Sequence, residues 1–510
     1  MKKVLSLIVA LCLMLGCTVS ALAIDVDLPI FEEKETFTWM IAKESLSQNT
    51  WPEKECVQFT EEKTNIHLEC IEIASSGWDE KVNLAFTSGD LPDCFVGGVD
   101  VAINYESLAA IEGIIDECAP NILRTFEDLP ELRGALTLPD GHIYSLPTGD
   151  ADVKNMINGE LWINTTWLEK VGKEMPTTVD EFVDVLRAFR DEDPNGNGQK
   201  DEIPLLASGA SSAAYIRQMM GFFGTLDNSN HIRVEDGKVI FTPAEDGYFQ
   251  ALQWLHLLYS EGLLNQDYYT EDNTQFLAKG QNEVCTAGVL LEWYIDTIMY
   301  GPYVSQYAPI EPFEGSLWNK SRLPQGSLNG FVISSSCRDV AAMVRYYDYV
   351  NSDLDILNLW NYGPEGVIWR YLDDGRWEVF TDNVPEGSSS SQVRRTLGVG
   401  PTCPMYAYSR WRGPQAEKYA DRITAKVAAN ELYLKHTPVE NMPAGYGDIE
   451  ETAERNLLLI DIDQYLDPFF ADAVVNGITE EAWQQHLKVL DTLSIDEYIG
   501  YWQTFYDQHT

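Results

Sequence analysis

Short apolar stretches, each followed by a turn and a helical pattern, predict a repeating order of strands and helices near the start of the chain. The expected strands are 37–41, 66–73 and 94–96, and the expected helices between them are 53–64 and 78–86. Single helices between successive strands favour parallel pairing with right-handed crossovers. We therefore expect an α/β fold whose N-terminal part contains a parallel sheet.

The alternation continues along the chain and then gives way to helices. Further strands are expected at 142–146, 161–164, 284–291 and 331–334, with helices beginning near 178, 247 and 338. The strand at 331–334 is expected to return to the first sheet. The last ninety residues are expected to be mostly helical, because Trp483, Leu487, Leu490 and Leu493 recur at helical spacing.

The helix that begins near 178 has a defined start and one apolar face. Thr178 and Glu181 have the spacing of a capping box. Four apolar side chains follow at i, i+3, i+4 and i+7, and we expect them to pack in the core: Phe182, Val185, Leu186 and Phe189.

The first 23 residues have the pattern of an export signal. Lys2 and Lys3 precede an apolar run at 4–15, and 21–23 is a small-x-small cleavage site. A competing interpretation is a lipoprotein signal in which Cys17 is acylated, although the residues before it fit that motif poorly. No later apolar run approaches the 18 residues or so that would span a membrane. We expect a secreted or cell-surface protein on the outer face of the cytoplasmic membrane.

Charge excludes two classes of partner. The chain has 35 Lys and Arg against 80 Asp and Glu, a formal net charge of −45. Such a field repels polyanions, which argues against nucleic acid and against anionic lipid. The 14 tryptophans are many for a globular chain and suggest stacking surfaces.

The cysteines beyond the signal are odd in number and scattered, and none is in a Cys-x-x-Cys pair: Cys56, Cys70, Cys94, Cys118, Cys285, Cys337 and Cys403. We expect buried thiols, with one disulfide as the alternative and a zinc site as a remote one.

One loop has the spacing of a calcium site. Oxygen-bearing side chains occupy positions 1, 3, 5 and 9 of an EF-hand-like loop: Asp193, Asn195, Asn197 and Asp201. Gly198 stands where the loop must turn, and Gln199 can offer its backbone carbonyl. Position 12 departs from the pattern because Pro204 replaces the usual Glu, but Glu202 can supply that charge. A solvated polar turn is the alternative.

Several motifs resemble the extracellular solute-binding proteins of ABC transporters. The stretches 164–172 and 175–178 together with Phe182 and the Asp193 loop are the most specific, and the others are 88–93, 140–147, 361–366 and 493–507. The chain is similar to the large Gram-positive lipoprotein binders and to the calcium-containing alginate binders of the carbohydrate-uptake family 1. The departures are the poor lipoprotein motif and Pro364.

The resemblance implies a two-lobed periplasmic-binding-protein type II fold with several interlobe crossings and a helical C-terminal region. Lobe 1 is expected to comprise 24–150 and about 305–365, and lobe 2 to comprise 151–304 and about 366–510. Crossings are expected near 148–160, 300–330 and the mid-360s. The resemblance also implies a structural Ca²⁺, a monomeric receptor, and ABC permease subunits as partners.

A sugar ligand needs flat apolar faces and polar groups for its hydroxyls. The candidate ligand residues are Trp51, Trp78, Asp93, Tyr144, Glu292, Trp293, Tyr294, Trp360, Tyr362, Glu365 and Trp369. Trp293 is the first choice, because it follows a buried strand and the family tends to place a stacking aromatic there. Arg322 is a candidate partner for an acidic sugar, which the net charge disfavours.

Two other function classes remain open. A secreted glycoside hydrolase would need a defined carboxylate pair, which cannot be read among so many acids. The sequence has no Gly-x-Ser-x-Gly motif and no zinc-like histidine spacing, so neither pattern favours a hydrolase. A receptor or sensor for peptides or other solutes is the second alternative. Uptake of an oligosaccharide, captured in an interlobe cleft without catalysis, is the favoured function.

Overall fold

The computed structural model describes residues 26–43, 46–151, 157, 159–210, 214–280, 282–299, 301–320, 327–380, 382–385, 388, 390–400, 404–408 and 417–510. The strands are β1 (Glu35–Lys43), β2 (Ile66–Ala74), β3 (Cys94–Val96), β4 (Ser145–Ala151), β5 (Glu160–Asn164), β6 (Ile203–Leu206), β7 (Ile232–Glu235), β8 (Lys238–Phe241), β9 (Ala287–Glu292), β10 (Tyr307–Pro309), β11 (Ser327–Ile333), β12 (Trp369–Tyr371), β13 (Trp377–Val379) and β14 (Tyr406–Tyr408).

The α-helices of the same residues are α1 (Glu55–Thr64), α2 (Trp78–Ser88), α3 (Val101–Asn104), α4 (Glu112–Cys118), α5 (Pro120–Asp128), α6 (Pro130–Leu136), α7 (Thr165–Lys170), α8 (Val179–Asp191), α9 (Asp246–Ser260), α10 (Asn273–Lys279), α11 (Val340–Val350), α12 (Leu354–Tyr362), α13 (Ser390–Leu397), α14 (Glu417–Leu434), α15 (Ile449–Asn476), α16 (Glu480–Leu490) and α17 (Ile495–His509). The predicted signal segment 1–23 with Cys17 lies outside the described residues, as do Arg322 and Cys403.

The first sheet, which defines lobe 1, has the strand order β14-β4-β11-β3-β1-β2. β1 pairs in parallel with both β2 and β3, which confirms the predicted parallel layer. β11 returns to this sheet as expected and pairs antiparallel with β3 and β4. The strand expected at 142–146 begins only at Ser145, because Asp140 accepts the N–H of His142 at 2.9 Å and prolongs the turn.

The second sheet, which defines lobe 2, has the strand order β10-β5-β9-β6. β5 runs antiparallel to β9, and β6 runs parallel to β9. Every residue of β5 and β9 is buried, so both faces of the sheet are covered. The predicted apolar face of α8 belongs to this core, and Phe182, Leu186 and Phe189 are fully buried. Mixed strand directions and covering helices give the expected two-lobed α/β architecture.

Two strands lie in a different lobe from the one predicted. β10 pairs with β5, so 307–309 belongs to lobe 2 rather than to lobe 1. β14 pairs with β4, so lobe 1 extends at least to Tyr408. Val399 and Met405, which lie beyond the crossing predicted in the mid-360s, also pack on the core of lobe 1. Sequence patterns give strand positions but not strand partners, which are set by tertiary contacts.

The C-terminal helices confirm the predicted helical region and cover both lobes. Ala429 and Tyr433 of α14 enter the core of lobe 2. The helices α15, α16 and α17 pack with the β7–β8 hairpin around Ile462 and Trp502. No helix in the described ranges combines the length and the apolar character that a membrane crossing needs.

The capping box at α8 forms with one change. Thr178 accepts the N–H of Glu181 at 3.2 Å as predicted. The Glu181 carboxylate instead accepts the N–H and the hydroxyl of Thr177, each at 2.8 Å, one residue before the expected partner.

No disulfide joins any two of the six described cysteines, so the disulfide alternative has no support among them. Four of them are buried as expected: Cys56, Cys94, Cys285 and Cys337.

Candidate functional site

The loop that follows α8 is organised around one carboxylate. Asp193 adopts a positive φ of 48° and accepts the N–H groups of Gly196 and Gly198, each at 3.0 Å. Asn195 and Asn197 each accept a backbone N–H two residues further on, at 2.9 and 2.7 Å. The loop therefore has the tight turns that an EF-hand-like sequence predicts.

The remaining side chains of the loop converge on a second carboxylate. The amides of Asn195 and Asn197 donate to Asp201 at 2.9–3.1 Å. Glu202 has a buried Oε1 atom without a hydrogen-bond partner. Burial, together with the charges of Asp201 and Asp193, raises the pKa of Glu202.

This donor set fits a hard cation. A buried carboxylate oxygen without a donor, beside two more carboxylates, is unfavourable unless the group is protonated or a positive charge is nearby. Ca²⁺ takes oxygen ligands from carboxylates, amides and backbone carbonyls, as this loop offers. Within the described residues no group of three or more His, Cys, Asp or Glu side chains is already arranged around a metal position. The two asparagines would have to turn their amide oxygens inward.

The loop lies at one edge of the second sheet. It joins the end of α8 to β6, and Ile203 pairs with Thr286 through an N–H···O bond of 2.7 Å. Lys170 donates to the carbonyl of Pro194 at 2.6 Å. Because β6 and β9 are parallel, this loop edge (193–202) is opposite the edge where β9 ends at Glu292. A cation here would fix the fold of lobe 2 rather than contact a ligand at the other edge.

The opposite edge, the Trp293 edge (Ser208, Tyr215, Tyr269, Glu292 and Trp293), contains the first-choice aromatic. Trp293 is half-buried and follows the last residue of β9. Its N–H donates to Glu292 Oε1 at 2.8 Å, and its ring lies 6.2 Å from the ring of Tyr294, edge to face. A half-buried ring at the carboxyl end of a buried strand is a suitable stacking surface.

The other lobe 2 candidates are more enclosed. Glu292 is buried, and its pKa is raised to about 7, chiefly by burial. Tyr294 is buried against Trp162, with ring centroids 5.3 Å apart. Both residues support Trp293 rather than present their own side chains.

Several predicted stacking rings lie in the core of lobe 1. Trp360 has no exposed surface, and its indole donates to Thr60 Oγ1 at 3.0 Å. Trp51 packs edge to face between Trp39 and Trp360. Trp360 is therefore excluded as a stacking surface, since a ring without exposed area cannot stack on a sugar. The sequence did not reveal this because helical spacing around Trp360 leaves its direction open.

Three more candidates belong to a small cluster beside α12. Tyr362 and Trp369 are buried, and the Trp369 indole donates to the carbonyl of Gly363 at 2.7 Å. Arg394 covers the Tyr362 ring at 4.6 Å. Glu365 is exposed and accepts the N–H of Tyr371 at 3.1 Å. The rings of Tyr362 and Trp369 are thus packing residues, whereas Glu365 remains accessible.

The remaining predicted residues also have structural partners. Asp93 precedes β3 and accepts the N–H and hydroxyl of Thr38 at 2.7 and 3.0 Å. These bonds tie β3 to β1 at the edge of the sheet where β3 begins, away from the carboxyl ends of the strands. Trp78 is buried and donates to the carbonyl of Gly98 at 2.7 Å. Tyr144 is buried and donates to Asp140 at 2.7 Å. Of these, Trp78 lies after β2, at the carboxyl ends of the parallel strands.

One helix joins the two lobes beside Trp293. At its start, Ser390 of α13 donates to Asp296, which follows Trp293 in lobe 2, at 3.2 Å. At its end, the buried Lys54 of lobe 1 donates to the carbonyls of residues 395, 396 and 398 at 2.6–3.2 Å. An ammonium at a helix C-terminus satisfies carbonyls that have no partner within the helix. No local sequence pattern marks Lys54, because only the fold brings it to this helix.

Two exposed tyrosines at the Trp293 edge were also missed. Tyr215 and Tyr269 are 40% and 38% exposed. Both lie near the end of β6, because the backbone N–H groups of Ser208 and Gly209 donate to the carbonyls of Ala214 and Tyr268, the residues just before them. Both tyrosines lie in turn-rich sequence with no predicted strand nearby, so no sequence pattern marked them as ligand residues.

Comparison with known proteins gives several matches. The fructooligosaccharide ABC transporter substrate-binding protein FusA of Streptococcus pneumoniae is 28% identical over 506 residues, 94% of this chain and 91% of FusA. The structure of FusA in complex with kestose aligns with a TM-score of 0.82 at 26% identity, covering 93% of this chain and 99% of that one.

Two further structures share the fold. A FusA EF-hand mutant in complex with fructo-nystose has a TM-score of 0.82 at 25% identity, covering 93% and 99%. A solute-binding protein from Bifidobacterium longum infantis, described as binding HMO, has a TM-score of 0.76 at 22% identity, covering 93% and 99%. Residues 41–353, more than half of the chain, match the family of bacterial extracellular solute-binding proteins, and the chain belongs to that family.

Proposed function

We propose that this chain is the receptor of an ABC importer and that it captures a neutral oligosaccharide between its lobes. The observation that carries the proposal is Trp293, a half-buried ring at the carboxyl end of a fully buried strand. Likeness to FusA over 94% of the chain supports an oligosaccharide as the solute. The permease subunits would receive the loaded receptor.

Stacking explains how Trp293 would hold a sugar. The apolar C–H face of a sugar ring packs on an aromatic ring, while polar groups orient its hydroxyls. Tyr215 and Tyr269 are exposed at the same edge and extend the aromatic surface for a longer chain. Glu365 is an exposed carboxylate that can accept a hydroxyl if closure brings it near.

Ligand capture would work by a population shift between open and closed arrangements of the lobes. A ligand that contacts both lobes favours closure by its differential affinity for the closed state. The helix α13 is suited to sense this closure, because its ends contact Asp296 in lobe 2 and Lys54 in lobe 1. No covalent chemistry is required for this function.

The net charge favours a neutral sugar over an acidic one. A formal charge of −45 raises the energy of an approaching anion, although screening limits this beyond about 8–10 Å. Fructooligosaccharides such as kestose are the first probes, because FusA is named for this class. A peptide or sensor input is the alternative that the same experiment tests.

The loop at 193–202 is proposed to bind one structural Ca²⁺. Asp193, Asn195, Asn197, Asp201 and Glu202 would supply side-chain oxygens, and Gln199 its backbone carbonyl. The buried oxygen of Glu202 without a partner supports this assignment. The ion would offset two of the three negative charges of these carboxylates and hold α8 against β6.

Export of the chain is part of the proposal. The basic start, the apolar run and the small-x-small site at 21–23 support secretion, with a lipid anchor at Cys17 as the alternative. Mass spectrometry of the mature protein from its native membrane distinguishes a chain that begins near Ile24 from one acylated at Cys17.

Isothermal titration of the calcium-loaded mature protein with kestose, an acidic oligosaccharide and a short peptide tests the proposal. We expect saturable binding of the neutral sugar, which is recovered intact. Binding of the peptide alone, or cleavage of the sugar, would overturn it.

A further inference from the structure

Two buried carboxylates face each other beneath Trp293. Glu160 is the first residue of β5 and pairs across the sheet with Glu292, the last residue of β9. Glu160 has no exposed surface and Glu292 is 3% exposed. Like charges directly opposite on adjacent strands destabilise a sheet, and more so when water is excluded. This arrangement therefore needs a compensating charge.

Lys426 of α14 supplies that charge from within the fold. Its side chain is fully buried, and the ammonium donates to both carboxylate oxygens of Glu160. It also donates to the carbonyl of Ile157 at 3.1 Å. The ammonium thus finds acceptors for its donors, which is the condition for burying it.

The same ammonium lies against the ring of Trp293. Lys426 Nζ is 5.2 Å from the ring centroid, within the range of a cation–π contact. Because Lys426 is fully buried, the ring surface that it covers faces the protein interior. The exposed part of the ring must then be turned away from it.

The main chain of Trp293 is fixed by the same cluster. Glu292 Oε1 accepts the Trp293 N–H at 2.8 Å, and the Glu292 carbonyl accepts the indole N–H of Trp162 at 3.0 Å. The ring of Trp293 is therefore held by Lys426, and its backbone is held by the neighbouring carboxylate of Glu292.

We propose that Lys426, together with Glu160 and Glu292, is a positioning unit that sets the orientation of Trp293 for stacking on a sugar ring. The inference rests on the proposed function, since it assigns the residue that prepares the same site. Lys426 does not touch the ligand. It acts by holding the ring in its binding orientation before the sugar arrives, which spares the ordering cost on binding.

The titration behaviour of the cluster agrees with this role. Burial, moderated by Lys426, raises the pKa of Glu160 to about 8. Burial also raises the pKa of Glu292 to about 7. Among the described residues, Tyr433 also faces Glu160, and its uncharged hydroxyl accepts the Leu161 N–H at 2.7 Å. The charge of Lys426 lowers the pKa of both carboxyls, so without it both would stay protonated to higher pH and the contact from the Trp293 N–H to Glu292 would weaken.

A purely structural ion pair makes a different prediction from a positioning unit. If Lys426 only stabilises the fold, then removing both charges in Glu160→Gln/Lys426→Met should restore ligand affinity along with stability. If Lys426 positions Trp293, the double variant regains stability but keeps a weakened affinity, because the cation beneath the ring is still absent.

The test combines titration with a probe of the ring itself. We would label the full-length mature protein with 5-fluorotryptophan and identify the Trp293 resonance by its loss in Trp293→Phe. In Lys426→Met and in the double variant we expect that resonance to shift or broaden without ligand. We expect kestose affinity to fall up to about tenfold in both, because the ordering cost of one side chain is then met on binding.

Lys435→Met is the matched control, because Lys435 is on the same segment but exposed, with its Glu311 partner also exposed. It should leave both readouts unchanged. Wild-type affinity in the double variant, or an unmoved Trp293 resonance, would overturn the inference. If Lys426→Met fails to fold, the double variant carries the test. If the wild type binds no oligosaccharide, the proposed function fails, and the ligand-free resonance still decides whether Lys426 orients Trp293.

Discussion

Two carboxylate clusters lie at opposite edges of the same four-stranded sheet, and they are neutralised differently. At the Trp293 edge, Glu160 and Glu292 are buried and Lys426 provides a fully buried ammonium. At the loop edge, the charges that act on Glu202 are those of Asp201 and Asp193. No Lys or Arg of the described chain pairs with these three loop carboxylates.

The difference follows from burial. Buried carboxylates must have a permanent partner in the fold, because no ion from solvent can reach them easily. The loop carboxylates are half-buried or exposed, so a Ca²⁺ can enter and leave. The cluster at the Trp293 edge thus has its cation within the fold and prepares a binding surface. The cluster at the loop edge depends on Ca²⁺ from the solvent to hold α8 to the sheet.

Removing the internal cation should have the largest effect. Lys426→Met leaves Glu160 buried without its partner, and breaking one side of a buried pair costs about 3–5 kcal/mol. Glu160→Gln/Lys426→Met should recover most of this loss. Chemical denaturation measures both values, with Lys435→Met as the exposed control. Equal stability of Lys426→Met and wild type would show that the pair contributes nothing.

A third cluster has a cation that titrates. His231 bonds to Asp227 at 2.6 Å and to Asp463 of α15 at 2.9 Å. Burial opposes the imidazolium, but the charge of Asp227 outweighs it and raises the pKa of His231 to about 9. A raised folded-state pKa means that this stabilisation is complete below the unfolded value near 6.5 and is lost as pH rises through about 9.

We therefore expect the free energy of unfolding to fall between about pH 6.5 and 9, by roughly 3 kcal/mol if His231 acts alone. Denaturant titrations at several pH values should show a slope in the wild type that is clearly less steep in His231→Gln, because the raised pKa values of Glu160 and Glu292 contribute a slope of the same sign. His67→Gln is the control, since His67 pairs with Glu61 at the surface. An equally steep slope in His231→Gln and wild type would assign it to other groups.

Supplying the cation at the loop edge should have a comparable or smaller effect. Calcium at 100 times its dissociation constant should add about 2.7 kcal/mol to the stability of the protein. The gain should disappear on chelation and in Asp193→Ala/Asp201→Ala. Differential scanning calorimetry with and without calcium measures it, and magnesium is the control ion. An unchanged melting temperature with calcium would refute the assignment.

Truncating the platform should weaken ligand binding. Trp293→Ala should weaken kestose affinity by about tenfold or more, because aromatic contacts contribute roughly 0.5–1.5 kcal/mol beyond their buried area. Phe59→Ala on α1 is the matched control, since Phe59 is also half-buried but lies on an outer helix. Titration calorimetry of both variants separates the Trp293 edge from general aromatic loss.

Local pattern predicts much of the fold and little of the charge network. Cys94–Val96 was predicted to the residue, and the Asp193 loop was recognised, because turn residues and alternation are encoded within a few positions. The partners of β10 and β14 were assigned to the wrong lobes, because pairing depends on distant segments. Lys426 approaches Glu160 from 266 residues away, and no local pattern marks such a contact.

Burial of aromatics was the other limit. Trp360 and Trp293 both stand among apolar residues, yet the first is fully buried and the second half-buried. Two features distinguished Trp293 in advance: the resemblance to the solute-binding family, and the strand end at Glu292, since a residue just past a strand leaves the covered sheet.

Titration of kestose into the calcium-loaded wild type and Trp293→Ala tests the central claim most directly. We predict saturable one-site binding to the wild type and a dissociation constant about tenfold higher in the variant. Absence of binding to the wild type, or equal affinity in both proteins, would contradict an oligosaccharide receptor with its platform at Trp293.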